Sequence, residues 1–168
     1  MNDRFRIKVR LAALVLLAGV PAAGAHAEQA TIKAQAKVVK SLALTTKQDL
    51  DFGTIAISGA AGTSTVTLSM AGILTCTGNV TCSGTARPAI LNVAGSKSQP
   101  VRITIGPSDL TNAGDGSTLR FTPIAPTSIT LTNSGAPGTD FNIGGSVDIP
   151  STADGTYSGN IVVTVDYQ

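Results

Sequence analysis

Cys76 and Cys82 carry the most definite chemistry in this sequence, in the run Thr75-Cys76-Thr77-Gly78-Asn79-Val80-Thr81-Cys82. An even pair of thiols in a chain that reads as exported points to a disulfide formed in an oxidising compartment. Gly78-Asn79 between β-branched residues marks a turn, which places the bridge across a hairpin. Closing so short a loop contributes roughly 2–3 kcal/mol in the chain-entropy model. A metal site needs more ligands than two thiolates. The Asn79-Val80-Thr81 sequon reads as incidental in a turn of this composition.

Asp49 and Asp51 raise the question of calcium. A calcium loop needs further oxygen ligands and a closing glutamate at set spacing, and Phe52 and Ile55 supply none. The pair therefore reads as solvated strand-edge carboxylates. Asp51-Phe52-Gly53 spells the metal-binding triplet of protein kinases, but no glycine-rich phosphate loop and no His-Arg-Asp loop accompany it. Leu50, Phe52 and Ile55 read instead as core residues, with Gly53 at a bulge. There is no Gly-x-Ser-x-Gly elbow. Lys33, Lys37, Lys40, Lys47 and Lys97 leave a Ser/Lys pair open by count, but exposed lysines on strand edges are more often guards against aggregation. The expectation is a protein that is not an enzyme, with no catalytic residue, no metal and no cofactor.

Composition narrows the classes further. The 168 residues are 42% hydrophobic, 13% charged and 4% aromatic, with a net charge of +2. That is too apolar for a disordered polymer and too weakly charged for a nucleic-acid binder working by counterion release. Residues 1–27 stand apart and read as a signal peptide. Arg4, Arg6, Lys8 and Arg10 form a positive start, residues 11–20 an apolar stretch, and Ala25-His26-Ala27 a small-x-small cleavage site. The apolar stretch is too short to span a bilayer, so no membrane span is expected once the leader is removed. Without the leader, eight basic and nine acidic side chains remain, a net charge of −1, and the single histidine is gone. No imidazole is then left for acid–base chemistry or a pH switch.

The rest of the chain alternates. Ala30, Ile32, Ala34, Ala36 and Val38 are interleaved with polar residues; Val66, Leu68 and Met70 share a face; Val101, Ile103 and Ile105 repeat the pattern, as do Ile129 and Leu131. The closing run sets Ile161, Val163, Val165 and Tyr167 against Val162, Thr164 and Asp166. Period-two runs broken by Gly, Pro, Asn and Ser turns indicate an all-β antiparallel sandwich, and no window has helical periodicity. The organisation expected is a leader at 1–27, an N-terminal segment at 28–36 and one β-sandwich domain at 37–168.

The end of the chain is the most telling part. A terminus frays unless it is tied into a sheet, so an alternating strand ending on Tyr167-Gln168 belongs to the core. In this the chain resembles the pilin subunits of chaperone–usher fimbriae. They carry a glycine fourteen residues from the C-terminus and a penultimate tyrosine, the positions of Gly155 and Tyr167. Lys37-Val38-Val39 followed by Leu50-Asp51-Phe52-Gly53-Thr54-Ile55 is similar to their first strands. The chain also resembles an uncharacterised family of secreted bacterial pilin-like β-sandwich proteins, through Asp49-Leu50-Asp51-Phe52-Gly53, Phe141-Asn142-Ile143-Gly144-Gly145 and Gly155-Thr156-Tyr157-Ser158-Gly159.

The resemblance implies an immunoglobulin-like sandwich lacking one strand, with an apolar groove beside the C-terminal strand. Its wall would be Gly155, Ile161, Val163, Val165 and Tyr167. The donor strand filling it from a neighbouring copy or another pilin subunit would be residues 28–36, presenting Ala30, Ile32, Ala34 and Ala36. The implied partners are a periplasmic chaperone and an outer-membrane usher. The implied destination is a cell-surface fimbrium or the extracellular space, reached through the periplasm. The competing reading is a self-complete secreted or periplasmic binding module. In it residues 30–39 complete their own sheet, and loops 111–117 and 134–140 hold a ligand.

Overall fold

Alternation becomes sheet almost throughout the computed structural model, which describes residues 28–59 and 61–168. In chain order the strands are β1 (Ala43–Gln48), β2 (Thr54–Ile57), β3 (Thr63–Leu68), β4 (Leu74–Thr77), β5 (Val80–Ser83), β6 (Ala89–Ala94) and β7 (Pro100–Ile105). Then follow β8 (Ser108–Asn112), β9 (Thr118–Ile124), β10 (Ser128–Thr130), β11 (Thr139–Pro150), β12 (Tyr157–Ser158) and β13 (Val163–Tyr167). Every ladder between them is antiparallel, and the described residues contain no helix. The chain is an all-β sandwich. The leader expected at 1–27 lies outside the described residues.

β11 organises the larger sheet. Its first part, from Thr139 to Ile143, pairs with β6, and β1 pairs with β6 beyond it. Its second part pairs with β9 on Gly144 to Val147 and with β3 on Gly145 to Pro150. β8 and β12 extend the β9 side, and β4 extends the β3 side. The change of partners falls on Gly144-Gly145 for a steric reason. A Cβ on Gly144 would run into the Leu68 carbonyl, and one on Gly145 into the Phe121 ring. Only glycine lets three strands converge there.

Two further small sheets lie against the larger one: β10-β7-β13, and β2 with β5. They define two core regions. In the first, Leu91 and Val93 of β6, Val101 and Ile103 of β7, Leu131, and Phe141 and Ile143 of β11 pack together. In the second, Val66, Leu119, Phe121, Val147 and Ile149 do so, with Phe52, Ile55, Ile57, Cys76 and Cys82 against them. Phe52 meets Phe121 edge to face at 6.3 Å, the arrangement favoured by the ring quadrupoles.

Four local readings are corrected. Residues 28–41 belong to no strand and are all exposed, Ile32 at 88% and Val38 at 89%, so the alternation of 30–38 makes no strand here. A period-two pattern states which face an apolar residue would take; it supplies no neighbouring edge to pair with. Met70 lies past the end of β3, in the turn where Ser69 Oγ accepts from the Ile73 N–H, and is exposed rather than on the buried face of Val66 and Leu68. The closing run is not one strand: β12 pairs with β8, residues 159–162 leave the ladders, and β13 pairs with β7. The disulfide joins Cys76 and Cys82 with Cα atoms 6.3 Å apart, but not across a paired hairpin. β4 pairs with β3 and β5 with β2, so the bridge ties one sheet to the other at a corner.

Candidate functional site

Residues 37–168 form one compact unit, and a broad concavity opens where the second layer is interrupted. Among the described residues, β13 has a ladder partner only in β7, and β2 only in β5. Between β2 and the C-terminal run opens a cleft of about 1210 Å³. One wall is the stretch from Asp49 to Ile57; the other runs from Ala153 to Ile161 and on to Val163. The floor is the apolar face of the larger sheet, including Leu91, Leu119, Phe121, Val147 and Ile149.

Consecutive residues line both walls, inward and outward side chains alike. In β2 only every second side chain can point one way, so along Thr54–Ile57 it is the backbone edge that borders the cleft. Such an edge presents N–H and C=O groups with no ladder partner. The walls also run in opposite directions. Leu42 packs on the first core region, Leu50 on both, and Ile55 and Ile57 on the second; in the C-terminal run Tyr157 and Ile161 pack on the second, and Val165 and Tyr167 on the first. A strand entering between them is therefore antiparallel to one wall and parallel to the other. It would find the free edge of β2 on one side, the C-terminal run on the other and an apolar floor beneath.

The wall positions hold their shape for local reasons. Gly155 takes φ +100, a conformation L side chains rarely adopt, and a Cβ there would sit 2.6 Å from the Asn112 amide nitrogen. That amide donates to the Asp154 carbonyl at 2.7 Å, which pins the start of the wall to β8. On the opposite side Asp51 and Arg87 exchange backbone hydrogen bonds of 2.8 Å each, and the Gly53 N–H donates to the Asp51 carboxylate at 2.8 Å. The Cys76–Cys82 bridge holds β5, and through it β2, against the larger sheet.

Of the expected wall residues, Gly155, Ile161 and Val163 line the cleft. Val165 and Tyr167 do not; they pack on the first core region beyond its end. Tyr167 instead makes a clasp. Its hydroxyl donates to the Lys40 carbonyl at 2.7 Å and accepts from the Ser96 N–H at 2.8 Å, while the Lys40 N–H donates to Ser96 Oγ at 2.7 Å. The last strand thereby ties Lys40 to the β6–β7 connection at Ser96. The candidate donor residues Ala30, Ile32, Ala34 and Ala36 are exposed and outside any strand. Leu50, Phe52 and Ile55, expected in the core, do pack against it, and together with Ile57 they also line the cleft.

Two carboxylates titrate low, both outside the cleft lining. Asp140 is held below its ordinary 3.8 by hydrogen bonds from Lys47 and Asn92, with Lys47 Nζ at 2.7 and 2.8 Å from its two oxygens. Asp115 is held low by the hydroxyl and backbone N–H of Ser117. Among the described residues no group of three His, Cys, Asp or Glu side chains is placed to hold a metal ion. Nor is any helix there long and apolar enough to cross a membrane.

What fold and site define is an antiparallel β-sandwich with an open, edge-lined apolar cleft. The chain belongs to the DUF4402 family, a domain of unknown function, whose model matches residues 42–167. No curated protein and no solved structure matches it.

Proposed function

We propose that this chain is a structural subunit of a bacterial surface fimbria, exported through the periplasm and polymerised by strand donation. Residues 28–36 of one copy, or of another pilin subunit, enter the cleft of the next and complete its interrupted layer. The observation that carries this reading is the cleft itself: the free edge of β2 and the C-terminal run face each other over an apolar floor. Adding a strand along β2 satisfies its row of free backbone groups, at roughly 0.5–1.5 kcal/mol net per hydrogen bond. Before assembly a periplasmic chaperone would cover the same edge, and an outer-membrane usher would receive the complex. The disulfide agrees with passage through an oxidising compartment.

The donor face is small, with Ile32 its one large side chain among Ala30, Ala34 and Ala36. A buried isoleucine contributes about 1.5–3 kcal/mol and a methyl nearer 0.8, so main-chain bonds carry much of the affinity. The test is purification of the leaderless chain with and without residues 28–36. The complete chain is expected to form denaturant-resistant ladders on a gel. The shortened chain is expected to remain monomeric and to bind a synthetic peptide of residues 28–38. A complete chain that stays monomeric at every concentration, with a shortened form that ignores the peptide, removes the proposal and leaves the self-complete module.

A further inference from the structure

We infer that the cleft selects its occupant by charge, taking the lysine-bearing segment 29–38 of a second copy; this rests on the strand-donation reading above. The charged side chains lining the cleft are Asp49, Asp51 and Asp154, with no lysine or arginine among them. In a chain whose basic and acidic groups nearly balance, that is a local bias. All three are exposed, whereas their neighbours Leu50, Phe52 and Ala153 are half-buried. The alternation places the aspartates on the outer lips and the apolar groups inward. Asp49 and Asp154 have no ion-pair partner among the described residues, and Asp51 has only Arg87 at 4.0 Å, both half-exposed.

The same alternation sorts the donor. With Ala30, Ile32, Ala34 and Ala36 facing the floor, Lys33 and Lys37 must face outward, level with the aspartates of the walls on either side. Residues 28–38 contain these two lysines against one acid, Glu28 at the first position. Opposite charges on adjacent strands attract and like charges repel, and exposed pairs of this kind speed encounter more than they slow release. Lysine at the outward positions thus marks the chain's own segment as the matching strand, and an acidic strand is refused.

The test is titration of fluorescent 28–38 peptides, at low and high salt, into the leaderless chain lacking residues 28–36, whose cleft no neighbouring copy can fill. The native peptide is expected to weaken with salt, and K33E/K37E to bind at least roughly tenfold more weakly at low salt. A protein carrying D49K and D154K is expected to invert that preference. These positions are exposed, and the peptide comparison does not depend on any protein variant folding. Equal binding of native and reversed peptides at low salt overturns charge selection while strand donation stands. Tighter binding of the reversed peptide overturns it too and assigns the cleft to an acidic partner strand. Binding of neither peptide is the failure of strand donation itself.

Discussion

Around Leu131, Val101 and Phe141 the sandwich is closed, because β13 pairs with β7 and lays Val163, Val165 and Tyr167 over the core. Around Phe121, Val147 and Ile149 the facing layer is β2 with β5, and the C-terminal run passes at a distance, leaving the cleft. Both regions are built from the same alternating strands over a comparable apolar floor. They differ in whether a strand occupies the position between β2 and the C-terminal run. Residues 159–162 show the consequence within one segment: beside the cleft they lie outside any ladder, and pairing resumes at Val163 against β7. Openness here is a property of missing pairing, not of missing hydrophobicity.

The largest effect that could break this comparison belongs to the closed region. Leu131 is 1% exposed, and Leu131→Ala should cost about 2–5 kcal/mol by removing packed carbon atoms and leaving a cavity. Urea denaturation reads this as a fall in midpoint with unchanged slope. A loss below 1 kcal/mol would mean that the region collapses onto the gap and is not rigidly closed.

Next in size is the bridge at the open region. Cys76→Ala with Cys82→Ala should cost about 2–3 kcal/mol in the loop-entropy model. Hydrogen exchange should localise the effect, because the bridge holds the β2–β5 wall and touches nothing in β7. Amides of β2 and β5 should exchange faster while those of β7 keep their protection. Uniform acceleration would show that the two regions unfold as one.

Much of this architecture was legible in the sequence. The strands holding Val66 and Leu68, Val101 and Ile103, and Ile129 follow from alternation, since a buried sheet face demands it, and Leu131 is buried one residue past β10. The disulfide was legible from cysteine number and compartment. Partnership was not. That β4 and β5 part company after a two-residue turn, and that the closing run changes sheets at 159–162, depends on which edges are free elsewhere. Gly144-Gly145 was visible as a motif, but its reason, three strands meeting beside the Phe121 ring, is a tertiary fact. Tyr167 was read as a wall because an apolar ring on an alternating strand looks like one. Its hydroxyl, the part that clasps Lys40, decides what it does.

A smaller effect separates the two regions by function. Ile161 is half-buried in the cleft wall, so Ile161→Ala should cost about 1 kcal/mol of folding stability, well under the Leu131→Ala loss. Binding of the 28–38 peptide should weaken roughly fivefold, since the side chain is fully covered only when a strand lies beside it. If stability drops as far as for Leu131→Ala, the cleft is packed shut in solution and the comparison fails.

The smallest effect concerns acid. Lys47 of β1, Asn92 of β6 and Asp140 of β11 form a polar strap across three adjacent strands of the closed region. Asp115, in the turn between β8 and β9, is bound only to Ser117, two residues away. Both carboxyls titrate below 3.8 in the folded chain, so each favours folding above the unfolded value. That contribution fades as pH falls through the lower folded value. The two should nevertheless differ in reach, because Asp140 connects strands that come together only on folding, whereas the Asp115 turn can form locally in an unfolded chain. Asp140→Asn should therefore flatten the decline of the urea midpoint between pH 5 and roughly pH 2 more than Asp115→Asn does. Identical pH profiles for the two variants would show that the strap adds nothing beyond what a single turn supplies, and that the closed region owes its coherence to apolar packing alone.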